Sequence, residues 1–160
     1  MIRLSLYIAI IFFYSTALAS PDYKAKVIAI TDGDTIKVLR GGNEQVKIRF
    51  AGIDCPERKQ PWGTKAKQAT SDFVAGQTVT IKVMGIDRYK RTVGRVFVDG
   101  VNVNRELVRG GHCWTYVKYA KDTELFTLQE EASSQGRGLW RLPESERVPP
   151  WEWRKAKRKK

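Results

Sequence analysis

The sequence predicts an α+β domain in which about three helices pack on a small five-stranded β-barrel. Two observations lead to this fold class. Five short strand-like segments are separated by turn signals, and a helical segment lies between the third and fourth strands. The OB-fold is a five-stranded barrel of this kind, and it commonly binds oligonucleotides on its open face. A chain of 160 residues is long enough for one such domain and too short for two ordinary ones.

Alternation of apolar and polar side chains identifies the strands. In the third strand, Val46, Ile48 and Phe50 share one face and leave basic side chains on the other. The first two strands form a hairpin, because Asp32-Gly33 is a strong turn signal between them. The predicted strands are residues 24–31, 35–40, 45–52, 78–84 and 89–98.

Helical spacing of apolar side chains identifies the helices. Trp62, Ala66 and Phe73 recur on one face of the first helix, and Gly76 ends it. Asp122 is the expected N-cap of the last helix. The predicted helices are residues 62–75, 102–109 and 122–135.

Residues 1–19 are expected to be a secretory signal peptide rather than part of the fold. Arg3 gives a positive start, residues 4–14 are mostly apolar, and the segment ends in a small-x-small cleavage pattern at Ala19. An uncleaved membrane anchor is the alternative, although the apolar run is too short to span a bilayer. We therefore expect an exported protein, either periplasmic or secreted.

A basic segment rich in Pro, Trp and Lys follows the predicted domain. The domain covers residues 20–142, and the basic segment covers residues 143–160. We expect a mobile tail. It either strengthens nonspecific binding to nucleic acid through phosphate contacts or is simply solvated.

Cys55 and Cys113 are the two cysteines of the chain. Export would take them out of the reducing cytosol into an environment in which disulfides persist. A disulfide between them would stabilise the fold by about 4 kcal/mol, because it shortens the free loop of the unfolded chain. Two buried free thiols are the alternative, and the distance between the two residues decides between them.

The formal net charge of +12 favours a polyanionic partner such as nucleic acid or an anionic surface, although charge can also serve solubility alone. His112 is the one histidine, which excludes mechanisms that need a histidine pair and disfavours zinc sites. We expect it to be structural or exposed. Cleavage of a phosphodiester would therefore need carboxylates, which prefer calcium or magnesium, together with arginines, whose forks bind phosphate.

Three segments combine these residue types. They are Asp32-Gly33-Asp34-Thr35, Arg49 to Glu57, and Asp87 to Arg95. Each is a weak signal alone, since such turns and strand ends are common. In this order and spacing, however, the three segments resemble the thermonuclease family, the staphylococcal-nuclease-like enzymes. The resemblance covers about residues 24–140.

The resemblance implies a calcium site. Asp34 and Asp54 match the two calcium-binding carboxylates, and Asp32 matches an acidic residue that supports the metal site from slightly farther away. Cys55 stands where the family often has threonine, which offers calcium its backbone carbonyl, and any residue can supply that group.

The resemblance also implies the catalytic groups. Glu57 matches the general base that activates the attacking water, and Arg49 and Arg91 match the two arginines that bind and stabilise the phosphate. Lys90 replaces a glycine that is common in the family just before the second arginine. It adds positive charge near the site.

Five further residues match or lie near substrate contacts in the family. Arg88 and Tyr89 match positions that contact a flanking phosphate. Trp114, Tyr116 and Tyr119 lie where the family has tyrosines near the nucleotide, and aromatic side chains stack on bases without sequence preference. Core packing is the alternative for these three aromatic residues.

The sequence as a whole thus predicts a monomeric, calcium-dependent endonuclease that hydrolyses DNA and RNA with little sequence specificity. No stable membrane association is expected once the signal peptide is removed. The main alternative is a non-catalytic OB-fold protein that only binds nucleic acid. A cationic protein acting on membranes is a weaker alternative, because no predicted helix is strongly basic and amphipathic.

Overall fold

The fold is known from a computed structural model that describes residues 22–158. The predicted signal peptide, residues 1–19, lies outside the described residues. Among residues 22–158, no helix is long and apolar enough to span a bilayer.

Six strands make up the main sheet, in the order β3-β2-β1-β5-β6-β7, and a short pair, β4 and β8, makes a second sheet. The strands are β1 (Tyr23–Asp32), β2 (Thr35–Arg40), β3 (Glu44–Phe50), β4 (Ile53–Asp54), β5 (Thr78–Ile86), β6 (Thr92–Val98), β7 (Val101–Asn102) and β8 (Trp114–Thr115). An additional parallel pairing between β3 and β6 closes the five long strands into a barrel. The predicted five-stranded OB-fold barrel is confirmed.

Four α-helices surround the barrel in the described part of the chain. They are α1 (Gly63–Val74), α2 (Val103–Arg109), α3 (Glu124–Ser134) and α4 (Pro150–Arg158). Short 3-10 helices at Gly138–Arg141 and Glu144–Glu146 connect α3 to α4. The first three helices lie within a few residues of their predicted bounds, whereas α4 falls inside the segment that was expected to be a mobile tail.

The barrel interior and the helices share one core. The strands contribute alternate residues to it, as expected for strands with one buried face, and α2 and α3 cover the barrel with leucines. Its largest fully buried side chains include Phe50, Ile36, Ile48, Ile53, Ile81, Leu107 and Leu125.

A buried asparagine ties α2 to the strands beneath it. The side-chain oxygen of Asn104 accepts a hydrogen bond from Val96 N at 2.9 Å, and its amide nitrogen donates to the carbonyl of Ala51 at 2.9 Å. Because Asn104 is only 2% exposed, both bonds are shielded from water. They hold the chain segment that leaves β3, where the predicted catalytic loop begins.

Two local predictions differ from the structure. The fifth strand was predicted from residue 89, but β6 begins at Thr92, because the Asp87 carboxylate binds the backbone of Tyr89 and Arg91 in a turn. Asp122 was the expected N-cap of the last helix, but Thr123 takes that position. The Asp122 carboxylate pairs mainly with Arg105 instead.

Candidate active site

Two chain segments meet at one end of the barrel and bring the predicted acidic residues together. The β1–β2 turn carries Asp34, and the register pairs Thr35 with Arg49 on β3. The carbonyl of Asp34 also accepts a hydrogen bond from Phe50 N at 2.9 Å. The chain then leaves β3 and returns as β4, which ends at Asp54. Hairpin pairing therefore places residues twenty positions apart side by side.

Arg49 lies between the two aspartates. Its Nη2 atom is 3.2 Å from Asp34 Oδ2 and 2.9 Å from Asp54 Oδ1. Its Nη1 atom donates to the carbonyls of Phe50 and Ile53, each at 2.8 Å. Asp34 is 6% exposed and Asp54 is 1% exposed, so this guanidinium is fixed between two buried carboxylates.

The acidic groups of this cluster are largely buried, and burial is the main cause of two raised pKa values. Burial raises the pKa of Asp32 to about 7, and the neighbouring Asp34 carboxylate adds to the effect. Burial likewise raises the pKa of Asp54, against the opposing effect of a hydrogen bond from Arg154. Crowded carboxylates of this kind favour the arrival of another positive charge.

The side chains of these residues supply only part of the ligand set that a hard cation needs. Among residues 22–158, no three His, Cys, Asp or Glu side chains converge as a ready metal cluster. Asp34 and Asp54 do converge, through their shared contact with Arg49. Calcium accepts carboxylate, backbone carbonyl and water oxygens together, so two carboxylates, a nearby carbonyl and water form a suitable donor set.

A disulfide joins Cys55 to Cys113 directly beside Asp54. The backbone N–H of Cys55 donates to Asp34 Oδ2 at 2.8 Å. Gly33 packs against this bridge, since a Cβ there would lie 2.7 Å from the Cβ of Cys55. The cross-link therefore holds the predicted catalytic loop against the β1–β2 turn, and Gly33 leaves the room for it.

Glu57 is held through its backbone, while its side chain is 40% exposed. Its N–H donates to Gln60 Oε1 at 3.1 Å, and its carbonyl accepts from Gln60 N at 2.8 Å. The start of α1 also presses on it, since a Cβ at Gly63 would overlap the Glu57 carbonyl oxygen. The structure thus fixes the main chain of the predicted base and leaves its carboxylate accessible.

The C-terminal segment reaches this site, which corrects the expectation of a mobile tail. Arg154 of α4 donates from Nη1 to Glu57 Oε1 at 2.7 Å and from Nη2 to Asp54 Oδ2 at 2.6 Å. The tail thus supplies Asp54 with a second cationic partner beside Arg49, and it supplies one to Glu57. Lys155, Lys157 and Arg158 of α4 are exposed, whereas Arg154 is only partly exposed.

Arg91 lies in a separate and more exposed turn between β5 and β6. Its guanidinium pairs with Asp87 at 2.7 Å and lies 5.5 Å from the ring centre of Tyr89. Arg88 donates to the hydroxyl of Tyr89 at 2.7 Å. Within residues 22–158, no hydrogen bond or salt bridge joins this turn to the carboxylates of Asp34, Asp54 or Glu57. The three predicted phosphate contacts therefore group with each other and not with the acidic cluster.

The three predicted aromatic contacts lie beside the catalytic loop, because β8 pairs with β4. Trp114 stands opposite Asp54, and Tyr116 N donates to the carbonyl of Gly52 at 2.9 Å. Tyr119 is 58% exposed, with its ring edge-on to Tyr116 at 4.8 Å.

Trp114 differs from the two tyrosines in its surroundings. Its ring packs edge-on against Trp140 at 4.5 Å and against Trp151 at 6.1 Å. It is half-buried among these indoles. Packing is thus the clearer role for Trp114, whereas Tyr119 is open to solvent.

His112 takes no part in the acidic cluster. Its Nδ1 accepts a 3.4 Å hydrogen bond from the indole of Trp62, and burial lowers the pKa of its imidazole. This agrees with the expected structural role.

Three residues at the site were not singled out from the sequence. They are Gln60, Trp151 and Arg154. A tail that is only solvated has no need of two tryptophans, and Pro150 stands at the favoured first position of a helix. Those two signals predict a docked helix, although they do not say where it docks.

A barrel of this kind, with buried carboxylates and an arginine at one end, defines an OB-fold class whose site suits a cation and a phosphate. Sequence comparison gives the family. The profile of the family described as Staphylococcal nuclease homologue matches residues 47–142. The chain belongs to that family and is a nuclease.

Several relatives are similar over nearly the whole chain. A protein named "Uncharacterized endonuclease" from Escherichia coli is 41% identical, over 92% of this chain and 95% of the relative. A protein of the same name from Haemophilus influenzae is 36% identical, over 93% and 83%. A protein named "Micrococcal nuclease" from Shigella flexneri is 35% identical, over 84% and 82%.

Proposed function

We propose that this nuclease is a calcium-dependent endonuclease that hydrolyses phosphodiester bonds of DNA and RNA with little sequence specificity. The observation that carries the proposal is the contact of Arg49 with the two buried carboxylates of Asp34 and Asp54, at 3.2 and 2.9 Å. The arrangement offers oxygen ligands to a cation and a fixed guanidinium to a phosphate. The names of the relatives, which include endonuclease and micrococcal nuclease, agree with it.

Asp34 and Asp54 would hold the calcium ion, together with the backbone carbonyl of Cys55. Asp32 would support them, since its carboxylate accepts a 3.3 Å hydrogen bond from Asp34 N. When bound there, calcium supplies Lewis-acid polarisation of a phosphate oxygen. The excess of acidic groups over arginine in this cluster is the physical reason to expect a divalent cation.

Glu57 is the proposed general base. Its exposed carboxylate can take a proton from a water molecule aligned for in-line attack on phosphorus. Its backbone bonds to Gln60 keep that carboxylate at the edge of the acidic cluster. Arg49 would bind the phosphate from the barrel side and stabilise the negative charge that develops on its oxygens.

Arg91 is the proposed second phosphate ligand, and it approaches from the β5–β6 turn. Asp87 orients its guanidinium by accepting a 2.7 Å hydrogen bond from Nε and leaves part of the fork exposed. Arg88 and Tyr89 would contact a flanking phosphate. Tyr119, with its open ring, and Tyr116 beside it would stack on bases, which explains binding without sequence preference.

The test of this function uses purified protein and three substrates: linear duplex DNA, single-stranded DNA and RNA. Each is incubated with calcium, with magnesium and with chelator, beside the variants Glu57→Gln and Arg91→Gln. We expect calcium-dependent degradation that chelator abolishes and that each variant lowers by about 100-fold or more. Lys65→Gln, which removes an exposed charge on α1, is the matched control.

Two outcomes would contradict the proposal. Salt-sensitive binding without cleavage under any cation would make the chain a non-catalytic nucleic-acid-binding protein. Full activity in chelator would leave the nuclease assignment intact and remove the calcium requirement.

We also propose that the protein is exported, to the periplasm or the medium, and acts as a monomer. The Cys55–Cys113 disulfide supports export, since such bonds persist outside the reducing cytosol. Mass spectrometry of protein from the periplasm and the medium tests this directly. The expected mature chain begins at Ser20, and a chain that keeps residues 1–19 in the membrane fraction would contradict it.

A further inference from the structure

Arg154 takes up the hydrogen-bonding capacity of the proposed cation ligand Asp54. Its Nη2 lies 2.6 Å from Oδ2 and its Nη1 lies 3.2 Å from Oδ1, so the guanidinium fork engages both carboxylate oxygens. Arg49 already contacts Oδ1 at 2.9 Å. A divalent cation that uses the same oxygens must displace at least part of this pairing, because the lone pairs cannot serve both.

The same guanidinium also engages the proposed base. Nη1 of Arg154 donates to Glu57 Oε1 at 2.7 Å. An oxygen that accepts this hydrogen bond has one lone pair fewer for an attacking water. Arg154 therefore contacts the proposed metal ligand Asp54 and the proposed base Glu57 at once. Loss of either contact favours loss of the other.

An ordered element presents this arginine. The helix α4 begins at Pro150, which is buried, and the carbonyl of Pro149 accepts bonds from the next turn at 3.0 Å. The carbonyl of Val148 accepts a hydrogen bond from Gln60, whose own side-chain oxygen holds Glu57 N. The position of α4 is thus linked to the loop that carries the base.

The helix covers a proposed stacking residue as well. The indole of Trp151 lies parallel to the ring of Tyr116, with an interplanar angle of 2° and 5.2 Å between ring centres. A nucleotide base stacks on an aromatic ring in the same face-to-face manner. One face of Tyr116 is therefore occupied by the chain itself.

We propose that α4 is an internal lid, and that Arg154 competes with the divalent cation for Asp54. This inference rests on the proposed calcium-dependent function. Cation binding to Asp34 and Asp54 expels the guanidinium, loosens α4, frees Glu57 and uncovers Tyr116. Ligation of the cation and release of the Glu57 carboxylate from Arg154 are then a single coupled event.

Calcium affinity measures the competition without reference to activity. Isothermal titration of calcium chloride into wild type and Arg154→Gln should give a dissociation constant about tenfold lower for the variant, since a charged, partly exposed hydrogen-bonded competitor is removed. Arg158→Gln, on the same helix and exposed, removes the same charge and should bind calcium like wild type.

A second variant distinguishes loosening of α4 from the mere loss of a positive charge. Trp151→Ala keeps every charge but removes the indole stacked on Tyr116, so it should loosen α4 and also tighten calcium binding, by about threefold. Hydrogen exchange in the wild type should report the same event. Saturating calcium should lower the protection of residues 150–158.

Each result decides the matter. Equal or weaker calcium binding by Arg154→Gln, or unchanged protection of α4 in calcium, would overturn the lid. Tighter calcium binding by Arg154→Gln without tighter binding by Trp151→Ala would show that the lost charge alone is responsible. That result would also overturn the lid. Absence of calcium binding by all variants would overturn the inference through the proposed function itself, and is recognisable as such.

Discussion

The two halves of the candidate site are built in different ways. The acidic half, which we define as Asp34, Arg49, Asp54 and the Cys55–Cys113 disulfide, is buried and joined by contacts between distant segments. The arginine turn, residues 87–91, is more exposed and is held by contacts within five residues of chain. The acidic half is therefore preorganised by the fold, whereas the turn is set by its own sequence.

This difference leads to different consequences of substitution. Changes in the acidic half should cost stability and activity together, because its charges are desolvated. Changes in the arginine turn should shift the free energy of unfolding by about 1 kcal/mol or less and act mainly on substrate handling.

Removal of the disulfide should have the largest effect on the stability of the acidic half. The double variant Cys55→Ser, Cys113→Ser should lower the free energy of unfolding by about 4 kcal/mol, because the cross-link restricts a long loop of the unfolded chain. Urea unfolding of the variant measures the loss. Wild type in reductant serves as the control, and a loss below about 1 kcal/mol in both would show that the loop is held by other contacts.

The two arginines give the most direct contrast. Arg49→Gln should lower the free energy of unfolding by about 3 kcal/mol, since it leaves buried carboxylates without their partner. Arg91→Gln should change it by less than about 0.5 kcal/mol while still lowering nuclease activity by about 100-fold. Thermal unfolding and cleavage rates are measured on both. Equal stability losses would remove the distinction between the halves.

Lys90 provides a test within the arginine turn. Its φ of 60° lies in the left-handed region that glycine adopts without strain, which explains why glycine is common there in the family. Lys90→Gly should raise the free energy of unfolding by about 0.5–1 kcal/mol. Lys118→Gly is a control at an exposed loop position, and a stabilisation there of equal size would point to charge instead.

The smallest expected effect concerns Asp87 and pH. Burial alone would raise the pKa of Asp87, but hydrogen bonds from Arg91 and Tyr89 outweigh it and lower the pKa below its ordinary value. A lowered pKa in the folded state gives stability that is present above about pH 4 and is lost as pH falls through the folded value. Asp87→Asn should therefore cost about 0.5 kcal/mol at pH 7 and less at pH 3. Denaturant midpoints at the two pH values measure this, and a larger cost at pH 3 would contradict it.

The barrel could be predicted from the sequence because the alternation of apolar and polar residues within each strand identifies its buried face. Alternation at Val46, Ile48 and Phe50 places one face inward, and all but Val46 are fully buried in the structure. The acidic residues followed from a motif whose members come close through a single hairpin. Ordinary turn and strand rules were sufficient for the barrel, whereas the acidic residues were predicted through the resemblance to the thermonuclease family.

The place where the tail docks could not be predicted from the sequence, for a physical reason. Arg154 meets Glu57 across 97 residues of chain, and nothing local distinguishes it from the solvated lysines around it. Likewise, Asp122 is of a residue type that is favoured at N-caps. Its carboxylate instead pairs with Arg105 at 2.8 Å, 17 residues away along the chain. Long-range ion pairs override local preference and leave little trace in the sequence.

The parallel pairing of β3 with β6 has a consequence for the order in which the nuclease is made. Ile48 pairs with Thr92, so closure of the barrel waits for a strand that is synthesised well after both aspartates. Contacts between residues this far apart in sequence form late in folding, because the intervening chain must first close into a loop. A nascent chain that has reached only β5 carries Asp34, Arg49, Asp54 and Glu57 but cannot close the barrel around them. These four proposed catalytic and metal-binding groups are therefore synthesised before the strand that closes the barrel around them.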